Sequence, residues 1–286
     1  MTDPRPPQQD AVTYRPHFGL ERNPFGPLGN CDELFDLQAG SEAAARLGHL
    51  LELSGIGLLT GQPGCGKTTV CRRFLDSLHP LRHRICQVVL TTGTAFDTYR
   101  LIAWELGVEP VHTRAGCYRL IRNEILDQRQ SRRQLVLLID EAQNLRNDVL
   151  EELRLLINFD LEGKCPVCLL LVGLTDLDKR LALARHRALD QRIVMRHRFP
   201  GIAREEVEDY LEHRLRLAGC PRRLFAPEAA QALFDASKGL LRPLDNLAHY
   251  ALAAAAVEQT RTVSARHVER AVPETRSRTP VQYRDR

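Results

Sequence analysis

No stretch of this 286-residue chain approaches the ~18 consecutive apolar residues that a membrane-spanning helix needs. Residues Met1 to Arg15 lack the apolar core of a secretion signal, being polar and rich in proline. These two absences predict a cytoplasmic protein with no membrane segment. Charge of one sign is missing as well: 40 lysines and arginines against 36 aspartates and glutamates leave +4, too little to require a nucleic-acid partner. The cysteine pattern fits a disulfide framework less well than it fits free thiols. The eight cysteines, Cys31, Cys65, Cys71, Cys86, Cys117, Cys165, Cys168 and Cys220, are scattered through predicted helices and strands, which fits reduced thiols. Cys165 and Cys168 have metal or redox spacing, but no second pair accompanies them and they lead straight into an apolar strand.

With 43% hydrophobic and 27% charged residues the chain is globular and long enough for an ample core. Strand patterns fall near 56–60, 84–91, 134–140, 167–173 and 193–199, with helical patterns near 68–78, 97–107, 115–129, 145–158 and 176–184 between them. Such alternation predicts an α/β fold, a five-stranded parallel, doubly wound sheet. A further amphipathic helix is expected from Ser41 to Leu53, with Ser41 as its cap and Glu42 in its first turn. No strand signal returns after Pro200 and Gly201. Helical patterns at 203–218, 227–237, 241–258 and 264–271 predict a small all-helical subdomain. The expected organisation is a flexible leader over 1–16, a nucleotide-binding domain with an N-terminal extension over 17–200, helices over 201–272 and a basic flexible tail over 273–286.

The strand at 56–60 is followed by Gly61, Gln62, Pro63, Gly64, Cys65, Gly66, Lys67 and Thr68, with Thr69 opening the next helix. This is a complete phosphate-binding loop in the required strand–loop–helix setting. Its glycines let backbone N–H groups approach an anion, and the helix presents its positive dipole end to the same phosphates. Lys67 would hold the β- and γ-phosphates, and the Thr68 hydroxyl would bind Mg2+. The expected substrate is ATP.

The run Gln134 to Ile139 ends in two acids, Asp140 and Glu141. A core strand of a parallel sheet delivers such acids to its C-terminal edge, where ligands bind. Asp140 would hold the Mg2+ beside Thr68, and Glu141 would orient the water that attacks the γ-phosphate.

Such a nucleotide domain followed by a helical lid resembles the AAA+ ATPases. More closely, Phe18 to Phe25, Leu34 and Phe35, the loop at 61–68, Leu138 to Gln143 and Ala188 to Ile193 resemble the ExeA-like family over roughly residues 17–272. One branch of that family energises assembly of a secretion apparatus and carries a membrane span and a cell-wall-binding domain. The other comprises transposition helpers of the TniB, TnsC and Mu B type. Neither extra part is read in these residues, so the sequence points first to an ATP-dependent, DNA-binding regulator of transposition and second to a secretion-apparatus assembly ATPase. Asp140 to Gln143 also resembles the helicase box of that spelling, but such helicases need two sheet domains and residues 203–286 carry only helix patterns, so a helicase is the third and least expected reading.

The resemblance implies further residues. Arg192, with Arg187 and Arg185 as substitutes, would be the arginine that completes a neighbouring subunit's site. Arg242, in the Gly239 to Pro243 pattern, would be the lid arginine touching the nucleotide of its own chain. Thr175 would supply the polar group at the end of the fourth strand, and Phe18 and Phe25 would enclose the adenine. The implied partners are further copies in a ring or filament, duplex DNA, a transposase and a target-selecting adaptor. DNA-facing candidates are Thr91 to Arg100, Arg114, Arg119 and Arg122, helped by arginine clusters elsewhere in the chain.

Overall fold

The computed structural model of the protein describes residues 14–89, 93–157 and 167–276. The expected leader up to Thr13, Thr91, Cys165 and the tail beyond Arg276 lie outside them. In chain order the elements are α1 (Arg15–Phe18), α2 (Gln38–Leu53), β1 (Ile56–Gly61), α3 (Lys67–Asp76), β2 (His83–Val89), α4 (Ala95–Glu105), α5 (Arg114–Gln130) and β3 (Gln134–Asp140). They continue with α6 (Asn147–Ile157), β4 (Val167–Gly173), α7 (Thr175–Leu181), α8 (Arg187–Asp190), β5 (Ile193–Phe199), α9 (Val207–Leu217), α10 (Pro227–Ser237), α11 (Leu241–Val257) and α12 (Ala265–Arg276). Two compact units emerge, one over 38–201 and one that joins the segment up to Leu37 to the residues from Ile202 onward.

The first unit contains the five-stranded parallel sheet, in the order β2-β3-β4-β1-β5. Strands β1 and β4 are buried at every residue and β3 at all but its first, as expected where helices cover both faces. The edge strand β5 buries only alternate positions such as Met195 and Phe199. In the centre, Leu137 pairs with Leu169 and Leu58 with Leu171, so the three core strands run in register to one C-terminal edge. Tyr99, Ile102, Ile121, Ile125, Leu150 and Leu153 fill the space between sheet and helices. Helix α2 starts at Gln38, a turn before the expected cap at Ser41. Its buried stripe of Ala43, Leu47 and Leu50 fixes the helix, and a cap preference of about 1 kcal/mol does not halt a turn that adds backbone bonds.

The second unit is helical, with one correction to the expected organisation. Residues 14–37 belong with the helices from Ile202 onward in one compact unit. The cause is a set of charged clamps on main-chain carbonyls. Arg214, only 4% exposed, donates from Nε to Pro24 O and from Nη2 to Gly26 O, both at 2.6 Å. Arg22 Nε reaches Leu217 O at 3.0 Å, and Arg222 Nη2 reaches Phe18 O at 2.9 Å. Phe18 is buried here, and Phe25 stands edge-on to Phe225.

Beside Arg214, Tyr210 Oη donates to Asp245 Oδ1 at 2.6 Å. Burial pushes Asp245 up to about 6 from an ordinary 3.8, against the opposing pull of Arg214 and Tyr210. A raised carboxyl contributes stability that is full below pH 3.8 and lost as the pH rises through about 6. Asp245→Asn keeps an acceptor for Tyr210 and removes the titration. Urea unfolding should show it more stable than wild type at pH 7.5, on the order of 2–3 kcal/mol, and equal at pH 4. A parallel pH dependence in both proteins would refute this.

Candidate active site

Strand β1 ends in the phosphate loop, and α3 begins inside it at Lys67. Gly64 and Gly66 have φ of 76° and 108°, in the left-handed region that glycine enters without a Cβ penalty, and this lets the chain wrap into a cradle. Lys67 is only 8% exposed. Its Nζ donates to the carbonyls of Gly61 and Gln62 at 3.0 Å each and lies 3.8 Å from Cys65 Sγ. Cys65 is fully buried under the loop. On the next helical turn, burial and the nearby Asp140 push the Cys71 thiol well above its usual range, so it stays protonated beneath the site. Gln62, Pro63, Thr68 and Thr69 face outward.

The loop meets the end of β3. Thr68 Oγ1 donates to Asp140 Oδ2 at 2.8 Å, across 72 residues of sequence. Asp140 is 5% exposed, and its Oδ1 accepts the Glu141 N–H at 2.8 Å. A buried carboxylate with both oxygens engaged is fixed in direction, and one of them points at the hydroxyl expected to share Mg2+ with it. Thr68 and Asp140 therefore fit a magnesium site completed by phosphate and water oxygens. Among the described residues there is no cluster of three or more His, Cys, Asp or Glu side chains of the kind that cages a metal by itself.

Glu141 takes a left-handed φ of 54°, costing on the order of 1 kcal/mol, and stands exposed beyond the sheet edge. Gln143 Nε2 donates to Glu141 Oε2 at 2.6 Å, while Gln143 Oε1 accepts the Leu174 N–H at 3.0 Å. Thr175, next in the chain, is half-buried at the first position of α7. The structure thus brings together Lys67, Thr68, Asp140 and Glu141. It also adds Gln143, to which the sequence reading gave no role although it stands in the quoted run after Asp140.

Arg192 is exposed in the turn before β5, where its N–H closes on Leu189 O at 3.0 Å, and Arg185 and Arg187 are exposed on the preceding turns. Arg242 is exposed at the second position of α11, in the helical unit. Of the residues expected to face DNA, Arg114 is paired with Glu152 at 3.0 Å, and Arg100 lies against the rings of Phe96 and Trp104. No helix among the described residues is long and apolar enough to cross a membrane.

The AAA domain family matches residues 51–181, which include the phosphate loop, Asp140 and Glu141. General secretion pathway protein A of Aeromonas hydrophila is 35% identical over 246 residues, covering 85% of this chain and 45% of that protein. The chain thus spans under half the length of this relative. Among solved structures, Cdc6p from Pyrobaculum aerophilum superposes with a TM-score of 0.66 at 18% identity, over 88% of this chain and 70% of that one. The ADP form of the Aeropyrum pernix ORC2 protein gives 0.63 at 18%, over 89% and 72%. Domain match, relative and fold agree with the residues at the sheet edge: the chain has the P-loop fold of the AAA+ proteins, its residues 51–181 match the AAA domain, and it is similar to General secretion pathway protein A.

Proposed function

We propose that the chain is the ATP-hydrolysing part of a secretion-apparatus assembly machine, the second of the two branches weighed from the sequence. The observation that carries this reading is the 35% identity over 246 residues to General secretion pathway protein A. The transposition reading leaned on the lack of further parts in these residues, and a chain spanning 45% of its relative cannot be judged by what it lacks. The solved structures, at 18% identity, bear on the fold alone.

In the proposed mechanism Lys67 exchanges the neutral carbonyls of Gly61 and Gln62 for the β- and γ-phosphate oxygens, which are stronger, charged acceptors. Thr68 and Asp140 would hold Mg2+, which when bound neutralises charge on the phosphates. Glu141 turns a water toward the γ-phosphorus and accepts its proton as the bond to phosphorus forms and the β–γ bridge breaks. Gln62, Pro63 and Thr69 line the approach. Arg192 of a neighbouring copy would supply positive charge to the γ-phosphate, and Arg242 would report on the nucleotide within its own chain. Residues 201–272 act in this scheme as the lid.

The test is assembly in the presence of a slowly hydrolysed ATP analogue, followed by sedimentation and electron microscopy with and without duplex DNA. Oligomers that require nucleotide and ignore DNA are expected. Filaments that form only on DNA would overturn the secretion reading in favour of the transposition one.

A further inference from the structure

Glu141 is exposed and rooted in a strained backbone, so nothing in its own main chain fixes where its carboxylate points. The sequence reading gave the polar position at the end of β4 to Thr175. In the structure that place is taken by a side chain reaching over from the β3 loop. Leu174 N–H can only donate, so the Gln143 amide must present Oε1 to it at 3.0 Å and Nε2 to Glu141 Oε2 at 2.6 Å. The backbone is pinned as well: Arg180 Nη1 donates to Gln143 O at 3.0 Å. The last residue of β4 is shaped around the same amide. A Cβ on Gly173 would stand 2.7 Å from Gln143 Oε1, closer than atoms pack, and 3.2 Å from Gln143 N, a tight contact.

We propose that Gln143 is the positioning residue of the hydrolytic step. It ties one oxygen of Glu141 to the end of β4 and leaves the other oxygen to take the water. This rests on Glu141 having the role proposed above. An amide donor suits the task, because it fixes a carboxylate by hydrogen bonding without neutralising it. Held this way, Glu141 moves with β4 and α7, so a shift at the sheet edge reaches the water through Gln143.

The experiment measures phosphate release and the affinity of a fluorescent ATP analogue for wild type, Gln143→Ala, Gln143→Glu, Glu141→Gln and the Gln143→Ala/Glu141→Gln double variant. Gln143→Glu keeps size and the acceptor for Leu174 but replaces the donor that faces Glu141. Both Gln143 variants should lose about 10- to 100-fold in kcat with nucleotide affinity within twofold of wild type. Gly173→Ala, which displaces the amide, should behave alike. The double variant should be no slower than Glu141→Gln alone, since a residue that acts only through Glu141 has nothing left to position. A merely structural role predicts additive losses. The inference is overturned if both Gln143 variants stay within twofold of wild type in kcat, or if the loss persists in full in the Glu141→Gln background. A Glu141→Gln protein as fast as wild type would instead overturn the role of Glu141.

Discussion

Replacing Lys67 by alanine is expected to weaken Mg-ATP binding by about 10²-fold or more, because two charge-assisted bonds to phosphate are each worth roughly 1.5–3 kcal/mol. The side chain is placed for that loss. It is 8% exposed, rises from the first turn of α3 and already turns its ammonium into the loop toward Gly61 O and Gln62 O. Its removal also leaves those two carbonyls without that donor, so the variant should lose on the order of 1–2 kcal/mol of stability. Lys67→Arg separates the two effects, since it keeps the charge in a longer, planar group that does not fit the same space. Titration with a fluorescent ATP analogue decides: wild-type affinity in Lys67→Ala would mean that the loop is not where nucleotide is held.

The second large effect concerns Arg192. If it serves the site of a neighbouring copy, Arg192→Ala should lower phosphate release on the order of 10²- to 10³-fold while each chain still binds nucleotide through its own Lys67. Mixing gives the distinctive result. In an equal mixture of Lys67→Ala and Arg192→Ala chains, half of the sites keep Lys67, and half of those sit beside a chain that keeps Arg192. About one quarter of wild-type activity should therefore return from two inactive proteins. A mixture as slow as its parts would place the completing charge within the same chain. The same mixture made with Arg185→Ala or Arg187→Ala tests the two neighbours, which are exposed on the preceding turns.

The parts of this site that could be read from the sequence are those whose chemistry is local. The loop from Gly61 to Thr68 is spelled out in consecutive residues, and its glycine conformations are demanded by that spelling. Strands β1, β3 and β4 were legible because burial on both faces leaves almost unbroken apolar runs. What escaped depends on residues far apart in the chain. Nothing near Pro24 or Gly26 announces that Arg214, some 190 residues later, binds their carbonyls, and that long-range clamp is what ties the segment up to Leu37 to the helical unit. Gln143 was visible as a letter but not as a link. Its contact with Leu174 exists only because β3 and β4 pair side by side, Leu138 opposite Leu170 and Ile139 opposite Leu171. The resemblance points to Thr175 at the end of β4, and the amide that holds the neighbouring Leu174 N–H arrives from the strand beside it.

In the proposed mechanism Glu141 turns a water at the sheet edge toward a phosphate held by Lys67, Thr68 and Asp140. The most direct test is single-turnover phosphate release by Glu141→Gln, with bound nucleotide followed in the same sample. The expected result is a protein that binds Mg-ATP as tightly as wild type and retains it unhydrolysed, with release slowed on the order of 10²- to 10³-fold. Phosphate released at the wild-type rate would contradict the account.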